Sequence, residues 1–195
     1  MQNIDFSELC LHGKAYSGLT AEDEALLLVE GPRLIPHLQA VTDQFYHDLQ
    51  QIPAAAPFLE GRLDALKTTH KAWLEKVVTG PYDAEFAAHM HKVGDVHVKV
   101  KLPVEFMASG IGFINRHLIP ILAELYAGDT AKLARMIRAV SAATGFCLII
   151  MQESYQSSLL AEELDHFLAI SGISRTLFNN LAAAYKGVRP VAKTA

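Results

Sequence analysis

Apolar positions recur every three or four residues along most of this chain. Leu34, Leu38, Val41, Phe45 and Leu49 step by four and three, one apolar face of a helix over 32–51. Upstream, Thr20 followed by Glu22 and Asp23 has the form of a helix start, and Gly31-Pro32 ends that helix and begins the next. Ile52-Pro53 closes the second helix, and the stretch to Gly61, with prolines at both ends, predicts a short helical turn or irregular structure. Leu63, Leu66, Thr69 or His70, Trp73 and Val77 share a face over 62–79, and Gly80-Pro81 is a stop. A helix over 103–127 is crossed by Pro120, which predicts a kink; Gly110 and Gly112 on it admit a close backbone or a flat ligand. "GDT" then introduces a long last helix from 130 to about 160. A final segment has helical signals of its own, and the tail from Lys186 reads as disordered. No repeat or low-complexity linker interrupts this order, so the fold class is all-α.

One stretch tests that reading. "VGDVHVKVKLP", residues 93–103, alternates Val96, Val98, Val100 and Leu102 with His97, Lys99 and Lys101, the period of a half-buried strand. Yet Phe86, Met90, Val93, His97 and Val100 step by four and three without a break. Each valine costs a few tenths of a kcal/mol in a helix, which packing of that face overrides. A lone strand has no partner for its backbone groups. The stretch is therefore read as the end of a helix that starts after Asp83 and stops before Pro103, with His97 on its apolar face.

Composition changes the picture little. The chain has 195 residues, 51% apolar and 19% charged, with net charge −4. That is an ordinary soluble balance, and it disfavours nucleic acid or an anionic membrane as partner. Cys10 and Cys147 are too few for a disulfide framework or a Cys-rich metal site. No signal peptide is visible, and the longest apolar run, residues 139–151, is about 13 residues, too short for a bilayer. A cytoplasmic protein is the expectation.

There is no phosphate-binding glycine loop, nucleophile elbow or zinc-protease motif. The nine histidines are scattered. His89 and His91 flank Met90, which takes the buried side, so both are expected in solvent. His97 stands apart. Unpartnered burial costs an imidazole roughly 1–3 kcal/mol, so it either packs with a hydrogen bond or serves as a ligand, and in an all-α chain a haem iron is the candidate.

Three stretches, in order, resemble the sensor globins, the family of globin-coupled sensors and protoglobins. "KVGDVHVKVKLPVEF" is similar to their proximal-helix motif: Val93-Gly94 precede His97, Lys99 fills the basic slot, Leu102-Pro103 match, and Phe106 fills the aromatic slot. Lys101 departs from a common glycine. "QFYHDL" resembles the helix that supplies a distal tyrosine, which maps to Tyr46, and "LDALKTTHKAWLEKVVTGPYDAEF" resembles the distal helix, with Leu66 and Thr69 at its pocket positions. The resemblance implies a globin fold of the sensor type over 1–160, with an N-terminal extension and a long last helix, followed by a C-terminal helical extension or linker and tail over 161–195. It implies haem b held by His97 as axial iron ligand. Tyr46, Leu66, Thr69, Trp73, Val93, Lys99 and Phe106 would line the cofactor, Tyr46 and Thr69 would hydrogen-bond the gas, and Lys99 could pair with a haem propionate.

The implied function is O₂ sensing, with CO or nitric oxide as other ligands, by a ligand-binding domain rather than an enzyme. Its signal would go to an output domain or partner. The family pairs through its last two long helices, and "VSAATGFCLIIM", apolar nearly all round, fits a homodimer surface. Two other readings stand beside it: a haem enzyme consuming O₂, nitric oxide or peroxide with a partner reductase, and a haem-free helical signalling module in which His97 only packs.

Overall fold

The structure, a computed structural model, is described for residues 4–186, and every regular element among them is helical. The tail expected to be disordered lies, beyond Lys186, outside the described residues. The chain divides into two compact units, Met1–Tyr155 and Gln156–Ala195. The division falls inside the last long helix, a little before the boundary expected at 160.

The first unit opens with a helix that sequence reading did not find, α1 (Phe6–Ser17). The Asp5 carboxylate accepts from the backbone N–H of Ser7 and Glu8 at 2.9 and 3.1 Å, and Gly18, at φ 70°, ends the helix in the left-handed region. α2 (Ala21–Glu30) begins as expected, with Thr20 and Asp23 capping each other reciprocally.

The next helix departs from expectation in its first turns. Residues Gly31–His37 are a 3₁₀ helix, and only Leu38–Gln50 (α3) is α-helical. Pro36 is the cause: it has no N–H to give and its ring excludes the carbonyl one α-turn back. A short turn, Pro53–Ala55 and α4 (Ala56–Leu59), leads to α5 (Leu63–Thr79). Asp83 caps α6 (Ala84–Lys99), its carboxylate accepting from the Phe86 N–H at 2.9 Å. The ambiguous stretch is thus helical through Lys99. α7 (Val104–Leu125) carries Pro120 within it, and α8 runs Thr130–Ser171.

The core is built where these helices turn their apolar stripes inward. Leu27, Leu34, Leu38, Leu74, Met90, Leu118, Leu122, Met136 and Phe146 are wholly enclosed. Charged clamps tie the rim. Glu30 accepts from Lys132 at 2.5 Å, the Tyr126 hydroxyl at 2.8 Å and Arg33 at 3.1 Å, joining the end of α2 to the ends of α7 and α8. Arg138 of α8 donates to the fully buried Asp23 at 2.8 and 3.0 Å.

Segment 140–151, expected as a dimer surface, goes mostly into the interior of its own unit. Val140, Ala142, Ala143, Phe146, Cys147, Ile150 and Met151 are buried. α1 covers part of it. A Cβ on Gly13 would stand 2.8 Å from Ile150 and 2.9 Å from Phe146, so the two helices meet at that glycine. The apolar richness is core, packed on more than one side. α7 and α8 are long and apolar enough to qualify as membrane spans; half of the apolar stretch of α8 and 28% of that of α7 is buried within the protein.

The second unit is the end of α8 followed by α9 (Arg175–Lys186), reversed at Gly172. Arg175 pairs with Asp165, and Phe167 meets Phe178 edge to face, with ring centroids 6.3 Å apart.

Candidate functional site

A cavity of about 590 Å³ opens in the first unit, within the size range of small-molecule and cofactor sites. α3 supplies Phe45 and Tyr46, α5 supplies Leu66, Thr69, His70 and Trp73, α6 supplies Val93 and His97, and α7 supplies Phe106 and Gly110. Seven of the eight residues singled out from sequence therefore line one space. Lys99 does not; it is exposed at the end of α6.

His97 sits in the last turn of α6. Its Nδ1 is enclosed with no hydrogen-bond partner, and its other ring nitrogen makes no hydrogen bond among the described residues either. Burial pulls its pKa below the ordinary value, so the ring is neutral and carries a lone pair at neutral pH. The turn beneath it is firmly built. The Leu102 N–H donates to the His97 carbonyl at 3.0 Å and the Lys101 N–H to the Val98 carbonyl at 2.9 Å, the paired bonds of a Schellman closure. Lys101 takes the left-handed position at φ 54°. The Tyr155 hydroxyl, from α8, donates to the Leu102 carbonyl at 2.9 Å.

One turn before His97, α6 presses on α8. A Cβ on Gly94 would lie 2.0 Å from Ser154 Oγ and 2.6 Å from the Met151 carbonyl oxygen. Only a residue without a side chain lets the helices approach this closely. The height of His97 in the cavity is therefore set by a glycine above it and a hydrogen-bonded turn below.

Elsewhere in the lining, Tyr46 of α3 is buried and its hydroxyl makes no hydrogen bond among the described residues. Burial pushes its pKa up to about 12, so the phenol keeps its proton. Thr69 behaves differently. It is exposed, and its hydroxyl donates back along α5 to the carbonyls of Ala65 and Leu66 at 3.1 and 3.0 Å. Trp73 donates from Nε1 to Met90 Sδ at 3.1 Å, and Phe106 tilts against Phe58.

Four polar lining residues were not singled out as site residues. His70 stacks between Phe45, with ring centroids 4.3 Å apart, and Trp73, at 5.6 Å. Its Nδ1 lies 3.3 Å from the Thr42 hydroxyl, its Nε2 is buried without a partner, and burial lowers its pKa to about 4. Arg62, Lys76 and His89 are the others, and among the described residues no Asp or Glu lines the cavity. Sequence reading placed His89 and His91 in solvent. Instead His89 borders the cavity, while His91 is buried edge-on to Phe6 of α1 and 3.4 Å from Asp95. One helix face beside Met90 is covered by the cavity wall, the other by the unforeseen α1.

The family model of the protoglobins matches residues 8–161. Among solved structures, the globin domain of a Geobacter sulfurreducens globin-coupled sensor is similar at 28% identity and a TM-score of 0.68, covering 74% of this chain and 96% of that one. The globin domain of E. coli DosC in its ferric form is similar in fold at 20% identity and a TM-score of 0.60, covering 72% of this chain and 97% of that one. No curated protein matches the chain. With its helices and its cavity in one frame, and with the match running over most of its length, the chain belongs to the protoglobin family.

Proposed function

We propose that the cavity holds haem b with His97 as axial ligand, and that the chain is an O₂-responsive sensor globin. The observation that carries this is the half-buried, neutral imidazole of His97, its Nδ1 enclosed without a partner, in an apolar cavity that among the described residues no carboxylate lines. The fit extends to the rest of the group. Haem b is an apolar disc with two carboxylates at one edge. The walls are aliphatic and aromatic, and Arg62 and Lys76 are the cationic groups that could meet the carboxylates. Arg62 and Lys76 take the role that sequence reading gave to Lys99; His89, whose pKa burial and the nearby lysines lower, is a neutral hydrogen-bond donor beside them.

Bound there, the iron supplies an open coordination position for a diatomic ligand. The protein supplies discrimination. The protonated Tyr46 phenol can donate to a ligand with partial negative charge, which favours O₂ over CO by roughly 1–3 kcal/mol in a dry pocket. Signal transfer has a contact path in the same unit. The helix bearing His97 touches α8 at Gly94, and the turn that closes it accepts a hydrogen bond from Tyr155 of α8 at the Leu102 carbonyl. A shift of His97 on ligand binding therefore bears on α8. Pairing of two copies through α7 and α8, and a cytoplasmic output partner, complete the reading; sedimentation of the haem-loaded protein with and without O₂ tests the pairing.

The deciding experiment is the visible absorption spectrum of the chain with added haemin, in ferric, ferrous and ferrous-plus-O₂ states, beside His97→Ala. A sharp Soret band and a persistent O₂-dependent spectrum, lost or strongly altered in the variant, is the expected result. No Soret band, or indifference to His97, overturns the proposal and leaves a haem-free helical module.

A further inference from the structure

The lysines at the end of α6 are exposed and form no ion pair among the described residues. Lys92, Val96 and Lys99 step by four and three, so they share one face of the helix, and Lys101 follows in the turn that closes it. Lysines on the neighbouring wall behave otherwise: Lys67 of α5 reaches Asp43 at 2.8 Å and Lys71 reaches Glu75 at 3.5 Å. Carboxylates are at hand on α6 and just after it. Yet Asp95 faces His91, and Glu85 and Glu105 stand exposed without joining any of the three lysines. Between the lysines the surface is apolar. Val96 and Val100 both line the cavity and are 52% and 38% exposed, and Val104, outside the lining, is 45% exposed. The patch reaches the cavity's edge, since Lys76 and Lys92 act together on His89 of the cavity wall.

Haem's own two carboxylates match Arg62 and Lys76, which leaves Lys92, Lys99 and Lys101 for something else. An apolar centre set among unmatched like charges, where a flat cofactor's edge would come to the surface, has the form of a small contact steered by charge. The whole chain carries a net charge of −4, so an acidic partner is repelled by the molecule at large and oriented onto this face. Gas binding also creates a need for such a partner. A ferrous haem that loses an electron to O₂ is left ferric and no longer binds O₂. Both cysteines are free and buried, and no metal-holding cluster occurs among the described residues, so the replacing electron comes from outside the chain. Resting on the haem reading above, we propose that the α6 face of Lys92, Val96 and Lys99 is the docking surface of an acidic electron-transfer flavoprotein that returns the iron to its ferrous, gas-binding state. The step moves one electron. The donor's anionic flavin hydroquinone becomes the neutral semiquinone and ferric iron becomes ferrous; no proton moves. The lysines meet carboxylates of the donor, and the valines keep water from between the two cofactors.

The test follows reduction of the ferric haem-loaded chain under CO, which traps each ferrous iron as it forms. The donor is flavodoxin hydroquinone, a small acidic flavoprotein, and the proteins are wild type and the double variant Lys92→Glu/Lys99→Glu. Both positions are exposed, and circular dichroism with the Soret band checks that the variant folds and holds haem. The wild-type rate is expected to fall by about tenfold between about 20 and about 300 mM salt, and the variant to be slower by about tenfold or more at the lower salt. Reduced methyl viologen, a small cationic reductant, should reduce the variant at least as fast as wild type. Calorimetric titration of flavodoxin onto the ferric protein should show binding that the double variant weakens by about tenfold or more. A flavodoxin rate indifferent to salt, or equal in the double variant, overturns the proposal while leaving haem binding intact. So does a patch that binds phosphatidylglycerol vesicles through these lysines and flavodoxin not at all, which makes it a lipid-facing surface. A wild type that takes up no haem overturns this proposal and the parent reading together.

Discussion

Lys101 holds a backbone conformation that suits glycine, at φ 54° directly beneath His97. A side chain there costs about 1–2 kcal/mol, and glycine would relieve it while adding about 0.5–1 kcal/mol of chain entropy to the unfolded state. Relief is the larger effect. Lys101→Gly is therefore expected to stabilise the protein by about 0.5–1 kcal/mol and raise its thermal midpoint by a few degrees, measured by calorimetry. In the same cavity lining, Tyr46→Phe removes a protonated phenol and almost no volume. If Tyr46 donates to bound O₂, O₂ dissociation from the ferrous haem-loaded protein should quicken by about tenfold and CO dissociation should barely change, as read by stopped flow. At this scale the sequence was readable where a residue's role follows from type and register, as for His97. It stayed open where two neighbours compete for one face. Leu66, Thr69 and Trp73 step by three and four, and Leu66, His70 and Trp73 by four and three; periodicity does not choose between them. Packing does, because a threonine hydroxyl is satisfied by its own helix while an imidazole must look outward.

Between elements, the decisive contacts are glycine seats and charged clamps. Gly94→Ala would force α6 off α8, since backbone and Ser154 stand where the methyl must go. A loss of about 1–3 kcal/mol is expected, with weakened haem uptake, by denaturant titration and by haemin titration. Gly112→Ala is the control: nothing stands within 4 Å of its would-be Cβ on α7, so gained helix propensity should leave the protein as stable or up to about 1 kcal/mol more so. The Glu30 clamp gives a pH signature. Lys132 foremost, with Tyr126 and Arg33, holds the carboxylate down to about 2. A folded-state pKa below the unfolded one contributes stability that is full above the usual carboxylate range and is lost as pH falls toward 2. Glu30→Gln should be less stable than wild type at pH 7, and the gap should narrow steadily below about pH 4.5 in acid denaturation curves. Gly31 was read as a helix end and Gly94 as part of a motif. Their close approaches, to the Val78 carbonyl and to α8, depend on partners distant in sequence and could not be seen in it.

For the whole molecule, an all-α chain and the order of its helices from 20 onward were legible because each carries a stripe, a start or a stop. α1 was not. Its apolar residues are few, with Leu9, Cys10 and Gly13 facing in and Leu11 and Tyr16 facing out, so the stripe is too thin to register. Missing that helix also misplaced His91 and turned a core segment into a supposed dimer face. The same feature bears on how the protein can be handled. A chain trimmed to begin at Thr20 would keep every residue of the cavity and still be the wrong place to cut. It would lay bare Phe146 and Ile150 where Gly13 now sits, and uncover the surfaces that Phe6 and Cys10 now cover at His91 and Tyr82. Such a contiguous greasy scar invites self-association. The shortened chain should elute from a sizing column as aggregate, and a synthetic peptide spanning residues 4–19, added in trans during refolding, should restore a discrete species.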